Sequence, residues 1–271
     1  MAKSIDPAAL DGFESTTFSA LGRTRTVHRI GAGPSVLVLS EMPGITPGVA
    51  RFARTVAERG FRVAVPHLFG VDGERPGNGA FARTFAQVCV SREFVLFATN
   101  RSSPVTKWLN ELAHHEHLDN GGPGVGVVGM CLTGGFALAM MVDSVVVAPV
   151  LSQPSLPGAQ GRGASARAAL GLSPQEQAAV VARATAGQCV IGLRFTGDAL
   201  APGERFETLR RLLGERFIGV EIDSSPANPW GYSPKAHSVL TEDLGDDPRS
   251  PTHAALAQVL GFLDEQLRPA H

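Results

Sequence analysis

Cysteine is scarce in this chain. Cys89, Cys131 and Cys189 are the only three among 271 residues, too few and too far apart for a disulfide framework or a zinc-ligand spacing. Charge is scarce as well. Acidic and basic residues make up 18% of the chain and nearly cancel, leaving a net charge of −1, which argues against nucleic acid or an anionic membrane as the main partner. No uncharged apolar run reaches the roughly 18 residues that a bilayer-spanning helix needs. The opening Met1-Ala2-Lys3-Ser4-Ile5-Asp6-Pro7 lacks the apolar stretch of a signal peptide. Together these absences point to a reducing, cytoplasmic setting, with no membrane, nucleic-acid or metal partner.

What is present is core-forming material. Apolar residues are 44% of the chain and mean hydropathy is +0.07, too apolar for disorder and ample for a sizeable core. Gly and Pro, 31 and 19 residues, are spread evenly and mark many tight turns. No internal repeat or long linker divides the sequence, so a single domain over residues 1–271 is expected. It comprises an N-terminal hairpin at 15–31 and a core at 35–268.

The order of elements sets the fold class. Thr16–Ala20 and Thr26–Ile30 flank Leu21-Gly22-Arg23 and read as a hairpin. From residue 35 onward, apolar β-branched runs alternate with helical patterns. Strands are expected at Ser35–Ser40, Phe61–Val65, Val125–Gly129, Ser144–Pro149, Gln188–Phe195 and Arg216–Ile222. Helices are expected at Pro47–Arg59, Ser102–His117, Leu132–Val142, Ser173–Ala186, Gly203–Leu213 and Thr252–Leu267. Such alternation means βαβ units: an α/β protein with a mostly parallel, doubly wound sheet and helices on both faces. Residues 70–80 and 152–170 read as Gly-, Pro-, Ala- or Ser-rich loops.

The segment Val125-Gly126-Val127-Val128-Gly129-Met130-Cys131-Leu132-Thr133-Gly134-Gly135 carries the chemistry. An apolar strand runs through Gly-x-Cys-x-x-Gly directly into a helix. That resembles the nucleophile elbow Gly-x-Ser-x-Gly, with Cys131 in the Ser position and Thr133 in place of the second Gly. Small residues let strand and helix approach, and the helix N-terminus directs free N–H groups at the sulfur. The Leu132 amide is thereby a candidate oxyanion donor. Such a nucleophile needs an acid and then a His, each after a later strand. Asp198 follows the strand ending at Phe195, and His237 lies in the loop before the last helix. Each is commonplace alone, a turn Asp and a loop His. The order Cys131, Asp198, His237 is what makes a triad.

Four motifs make the chain resemble the dienelactone hydrolase family: Ser40-Glu41-Met42-Pro43-Gly44, Ser91-Arg92-Glu93, the elbow, and Ala236-His237-Ser238. The resemblance covers about residues 25 to 265 and implies an α/β-hydrolase fold with a Cys131–Asp198–His237 triad. It further implies that Glu41 holds the resting thiol and helps deprotonate it, that the Met42 amide is the second oxyanion donor, and that Arg92 binds a substrate carboxylate. An Arg in a surface salt bridge is the plainer role for Arg92. The sequence also departs from the family. Leu96 replaces a Tyr, and the run His237-Ser238-Val239-Leu240-Thr241-Glu242 lacks a second Arg, Thr241 standing in its place. Inserts at 70–105 and 152–170 are expected to reshape the pocket.

Weaker candidates are His67, at the end of a strand where ligands gather, and Trp230, as an apolar wall. His114, His115 and His117 fit a solvated helix end better than a metal site, and Cys89 and Cys189 read as inert core thiols. The expected activity is a cofactor-independent hydrolysis of a small ester or lactone, by a monomer or homodimer. A general carboxylesterase or thioesterase is the alternative within enzymes. A ligand-binding or redox-sensing protein on the same fold is the alternative outside them, distinguished by binding without turnover.

Overall fold

The computed structural model describes residues 5–90, 103–156 and 163–268. Eight strands form one mixed sheet: β1 (Glu14–Ala20), β2 (Arg23–Ile30), β3 (Ser35–Leu39), β4 (Arg62–Pro66), β5 (Val125–Met130), β6 (Val146–Ser152), β7 (Val190–Phe195) and β8 (Phe217–Ile222). Their spatial order is β1-β2-β4-β3-β5-β6-β7-β8. β1 and β2 pair antiparallel, as do β2 and β4, and every later pairing is parallel. The hairpin therefore supplies the antiparallel edge, as its turn residues imply.

β3 and β5 are buried along their whole length, which is why they read as unbroken apolar runs rather than alternating ones. Their side chains still divide by period two. Leu37, Leu39, Val125 and Val127 enter one core, while Val36, Val38, Val128 and Met130 enter the other. On the first face lie α3 (Pro104–Asn120), α4 (Leu132–Met140), α6 (Pro174–Thr185) and α7 (Gly203–Leu213). On the second lie α1 (Pro47–Glu58) and α8 (Pro251–Leu267). Four of these helices open on Ser or Thr followed by Pro. Thr46, Ser103, Ser173 and Ser250 each accept an amide hydrogen bond at the cap, and Ser173 completes a capping box with Glu176.

Three segments differ from the sequence expectation. Residues 78–90 form a helix, α2 (Asn78–Val90), inside what reads as an insert. Its start carries neither a Pro at N1 nor an acidic first turn, so the usual punctuation is missing. β6 runs on to Ser152, past Pro149. A Pro costs a central strand one donor, but β7 pairs with β6 only from Val150 onward. A short helix, α5 (Ala164–Ala168), lies in the 152–170 segment.

The hairpin is tied to the first core through Trp108. This fully buried residue donates Nε1–H to the carbonyl of Arg23 at 3.1 Å and packs edge-on against Phe18, 5.4 Å between ring centroids. Trp108→Ala should lower stability by about 3–5 kcal/mol, read as a shift of the urea midpoint with little change in m-value.

Candidate active site

The site forms where β3, β5, β6 and β7 end, on the carboxyl edge of the parallel strands. Cys131 caps α4 with φ 55° and ψ −121°, a positive φ that a residue with a β-carbon adopts only when its surroundings over-determine it. Gly129 makes that turn possible. A β-carbon there would lie 2.1 Å from the Thr133 carbonyl oxygen. Thr133, in place of the usual glycine, uses its side chain. Its Oγ1 accepts from the Met130 amide at 2.8 Å and lies 2.8 Å from the Leu39 carbonyl, so it staples β5 to β3. The amides of Leu132 and Met42 donate no hydrogen bond among the described residues, leaving both free for an oxyanion.

Asp198 and His237 come together. His237 Nδ1 and Asp198 Oδ2 are 2.7 Å apart, with the carboxylate buried. Asp198 is held by the Leu200 amide on Oδ1. Gly197 admits the neighbouring loop so closely that a β-carbon would meet the Pro234 carbonyl at 2.7 Å. The His237 turn is capped by Asp243, whose Oδ2 accepts the amides of His237 and Ser238. His237 Nε2 is buried without a hydrogen-bond partner. Burial pulls this imidazole down, but the Cys131 sulfur and the Asp198 hydrogen bond outweigh it and hold the ring well above its ordinary value.

Glu41 requires a correction. The Cys131 sulfur lies 3.0 Å from Ser155 Oγ, so the resting thiol is paired with Ser155 and not with Glu41. The buried Glu41 carboxylate is occupied elsewhere: it accepts from Gln153 Nε2 at 3.0 Å, from Ser238 Oγ at 2.8 Å and from Thr241 Oγ1. Burial raises its carboxyl, and the charge of His237 with the Thr241 and Ser238 hydroxyls draws it only part of the way back. Glu41 thus joins the β3 end, the β6 loop and the loop carrying His237.

The other candidates fall outside this cluster. Arg92 and Leu96 lie outside the described residues. His67 follows β4 and bonds Asp72 at 2.7 Å, the carboxylate that also takes His28 at 3.0 Å. Burial works to raise Asp72, but the two imidazoles hold it below the ordinary carboxylate range. Trp230 is exposed on a loop organised by Asn228, whose Oδ1 accepts the Trp230 and Tyr232 amides. Neither His67 nor Trp230 bonds Cys131, Asp198 or His237 among the described residues. Cys189 is half-buried at the core's edge, with Arg216 4.0 Å from its sulfur; β7 begins at Val190, two residues later than the expected start at Gln188. The Cys89 side chain lies outside the described residues.

Sequence reasoning missed Gln153 and Ser155. Both follow β6, a parallel strand next to the elbow strand, and that position was the available signal. Ending β6 at Pro149 hid it.

A cysteine on a strained strand–helix turn, with an Asp–His pair delivered by later loops at the same sheet edge, on this eight-stranded frame, defines an α/β-hydrolase fold. A family model, the dienelactone hydrolase family, matches residues 23–183, more than half of the chain. The chain belongs to the dienelactone hydrolase family. No curated protein matches the sequence. Solved structures resemble it in fold at low identity. A dienelactone hydrolase-like promiscuous phosphotriesterase from metagenomic libraries is 13% identical, with TM-score 0.61, over 94% of this chain and 98% of that one. A Klebsiella pneumoniae chain assigned as a dienelactone hydrolase is 16% identical, with TM-score 0.60, over 93% and 98%. A cold-adapted esterase from an Arctic intertidal metagenomic library is 15% identical, with TM-score 0.57, over 94% of each.

The glycine contacts fix the expected effect of two substitutions. Gly129→Ala drives a methyl into a backbone oxygen and should cost at least about 3 kcal/mol in urea unfolding. Gly261→Ala, in α8 with nothing within 4 Å of the new carbon, should gain up to about 1 kcal/mol. Separately, the His237 ring should keep its proton to a pH above about 6.5. In Cys131→Ala the sulfur's contribution is gone, so the NMR titration midpoint of that ring should fall.

Proposed function

We propose that this protein hydrolyses small ester or lactone substrates through a Cys131 acyl-enzyme. The observation that carries the reading is the 2.7 Å His237–Asp198 pair whose outer nitrogen is left without a partner beside the elbow cysteine. Asp198 fixes the imidazole with its proton on Nδ1, so Nε2 is the atom that exchanges protons. The raised imidazole takes the Cys131 proton on Nε2 before substrate reacts, and the thiolate so formed attacks the acyl carbon. The carbonyl π electrons move onto oxygen, which the Leu132 and Met42 amides receive. Collapse expels the alkoxide, His237 returns the proton to it, and a thioester remains. Water, deprotonated by His237, then cleaves the thioester and frees Cys131. In a lactone the leaving oxygen stays tethered to the acyl group.

Glu41 acts in this scheme by holding the Ser238–Thr241 turn, and with it His237. Arg92 is proposed to favour anionic substrates, as the family resemblance implies.

Turnover of a short-chain chromogenic ester and of a simple lactone tests the reading. Cys131→Ala should lose about 10³-fold or more in kcat/KM while keeping its unfolding midpoint. A brief incubation with slow ester should leave an acyl mass on the Cys131 peptide. Near wild-type turnover by the variant overturns the nucleophile assignment. A stoichiometric burst with no turnover favours a binding or sensing protein instead.

A further inference from the structure

One buried guanidinium lies between the loops that carry the site. Arg205, in the first turn of α7, is 2% exposed. Its Nη1 donates to the Pro154 carbonyl at 2.7 Å and the Leu200 carbonyl at 3.3 Å, and its Nε donates to the Ala169 carbonyl at 2.7 Å. The two Nη1 acceptors are placed with consequence. Pro154 sits between Gln153, the donor to Glu41, and Ser155, the partner of the Cys131 sulfur. The residue Leu200 gives its amide to Asp198. A single nitrogen therefore bridges the loop behind the nucleophile to the loop behind the acid.

Tying carbonyls does not by itself require a charge. Burying a guanidinium carries a large desolvation penalty, and here Nη2 is buried with no hydrogen-bond partner. No carboxylate forms an ion pair with Arg205 among the described residues. Burial lowers this group to about 10, with Asp198, Cys131 and Glu204 acting against the fall. It is still charged at neutral pH, and its bonds to the Pro154 and Leu200 carbonyls set it against the two loops that touch the Cys131 sulfur and Asp198.

We infer that Arg205 is a positioning residue for the Cys131 chemistry: it fixes the β6 and β7 loops against each other, and its unpaired positive charge favours the anionic sulfur. The inference rests on the reading of Cys131 as nucleophile.

Two variants separate bridge from charge. Arg205→Lys keeps the charge and loses the fork. Arg205→Gln loses the charge and keeps an amide donor for one carbonyl. The readouts are the pH profile of iodoacetamide alkylation, assigned to Cys131 by mass spectrometry, and steady-state ester kinetics. The Gln variant should move the alkylation profile up by about one pH unit, roughly a tenfold loss of reactivity at neutral pH, while Lys leaves it near wild type. Both should lose about tenfold or more in kcat with a much smaller change in KM. A folded Gln variant with the wild-type profile overturns the charge role, as does a Lys profile shifted as far as that of Gln. Wild-type kcat in the Lys variant overturns the bridge, and decides the matter alone if Gln does not fold. If no ester is turned over, the hydrolase reading fails, and the alkylation profiles still test Arg205.

Discussion

The backbone at Cys131, φ 55° and ψ −121°, is the constraint on which the rest of the site depends. Such a conformation costs about 1–3 kcal/mol for a residue with a β-carbon, and it persists because neighbouring contacts leave no alternative. Gly129 lets the first turn of α4 lie against β5. Gly134 faces Pro154, where a β-carbon would come within 3.0 Å. Thr133 reaches back to β3 through Leu39, and the Cys131 carbonyl takes the amides of Gly134 and Ser155. The strain is therefore shared by three adjacent strands, β3, β5 and β6. Those are the strands whose ends carry Glu41, Cys131 and Gln153-Pro154-Ser155. Strain at Cys131 and placement of its neighbours are one packing arrangement.

Around that turn the site must manage buried charge. Two buried carboxylates serve different ends because their partners differ. Asp198 gives one oxygen to the chain at Leu200 and the other to an ionisable ring. Glu41 is surrounded by an amide and two hydroxyls, all neutral donors. Burial raises its carboxyl, neutral donors draw it only part of the way back, and the main positive influence on it is His237. The imidazole is in turn favoured in its charged form by the sulfur and by Asp198. A site with this much negative charge around one imidazole gives physical meaning to a nearby unpaired guanidinium at Arg205.

Much of this was legible in the sequence. Strands buried on both faces leave continuous apolar runs, as in Val36–Leu39 and Val125–Val128. Ser or Thr before Pro marks helix starts that the backbone needs capped. The elbow could be read because steric demand at Gly129 leaves a residue-type signature, and the Asp198–His237 pair because chain order constrains where an acid and a base emerge. The partners of Glu41 were not legible. Ser238 and Thr241 lie 197 and 200 positions away from it in the chain, and a hydroxyl has no pattern that announces which carboxylate it will meet. Arg205 was hidden for a related reason. In an amphipathic helix with Arg210 and Arg211 it looks like one more solvated cation, and only the fold shows that its face turns inward.

Thr241 is one of three neutral donors that hold Glu41 where it bonds neither the sulfur nor a cation. The family resemblance places a second arginine at this position, and a guanidinium there would meet a carboxylate as an ion pair. A threonine offers one proton, and with Ser238 and Gln153 it supplies donors to both Glu41 oxygens without adding charge. A carboxylate so engaged has lost most of its freedom to swing toward the thiol. The sulfur needs another polar neighbour in its buried position, and Ser155, drawn in by the backbone bond from its amide to the Cys131 carbonyl at 2.9 Å, is the one the chain provides. In this chain Glu41 accordingly bonds the β6 loop and the histidine loop, and the sulfur bonds Ser155. The proposed transfer of the Cys131 proton to His237 thus needs no contact from Glu41, which reaches the imidazole only through the Ser238–Thr241 turn.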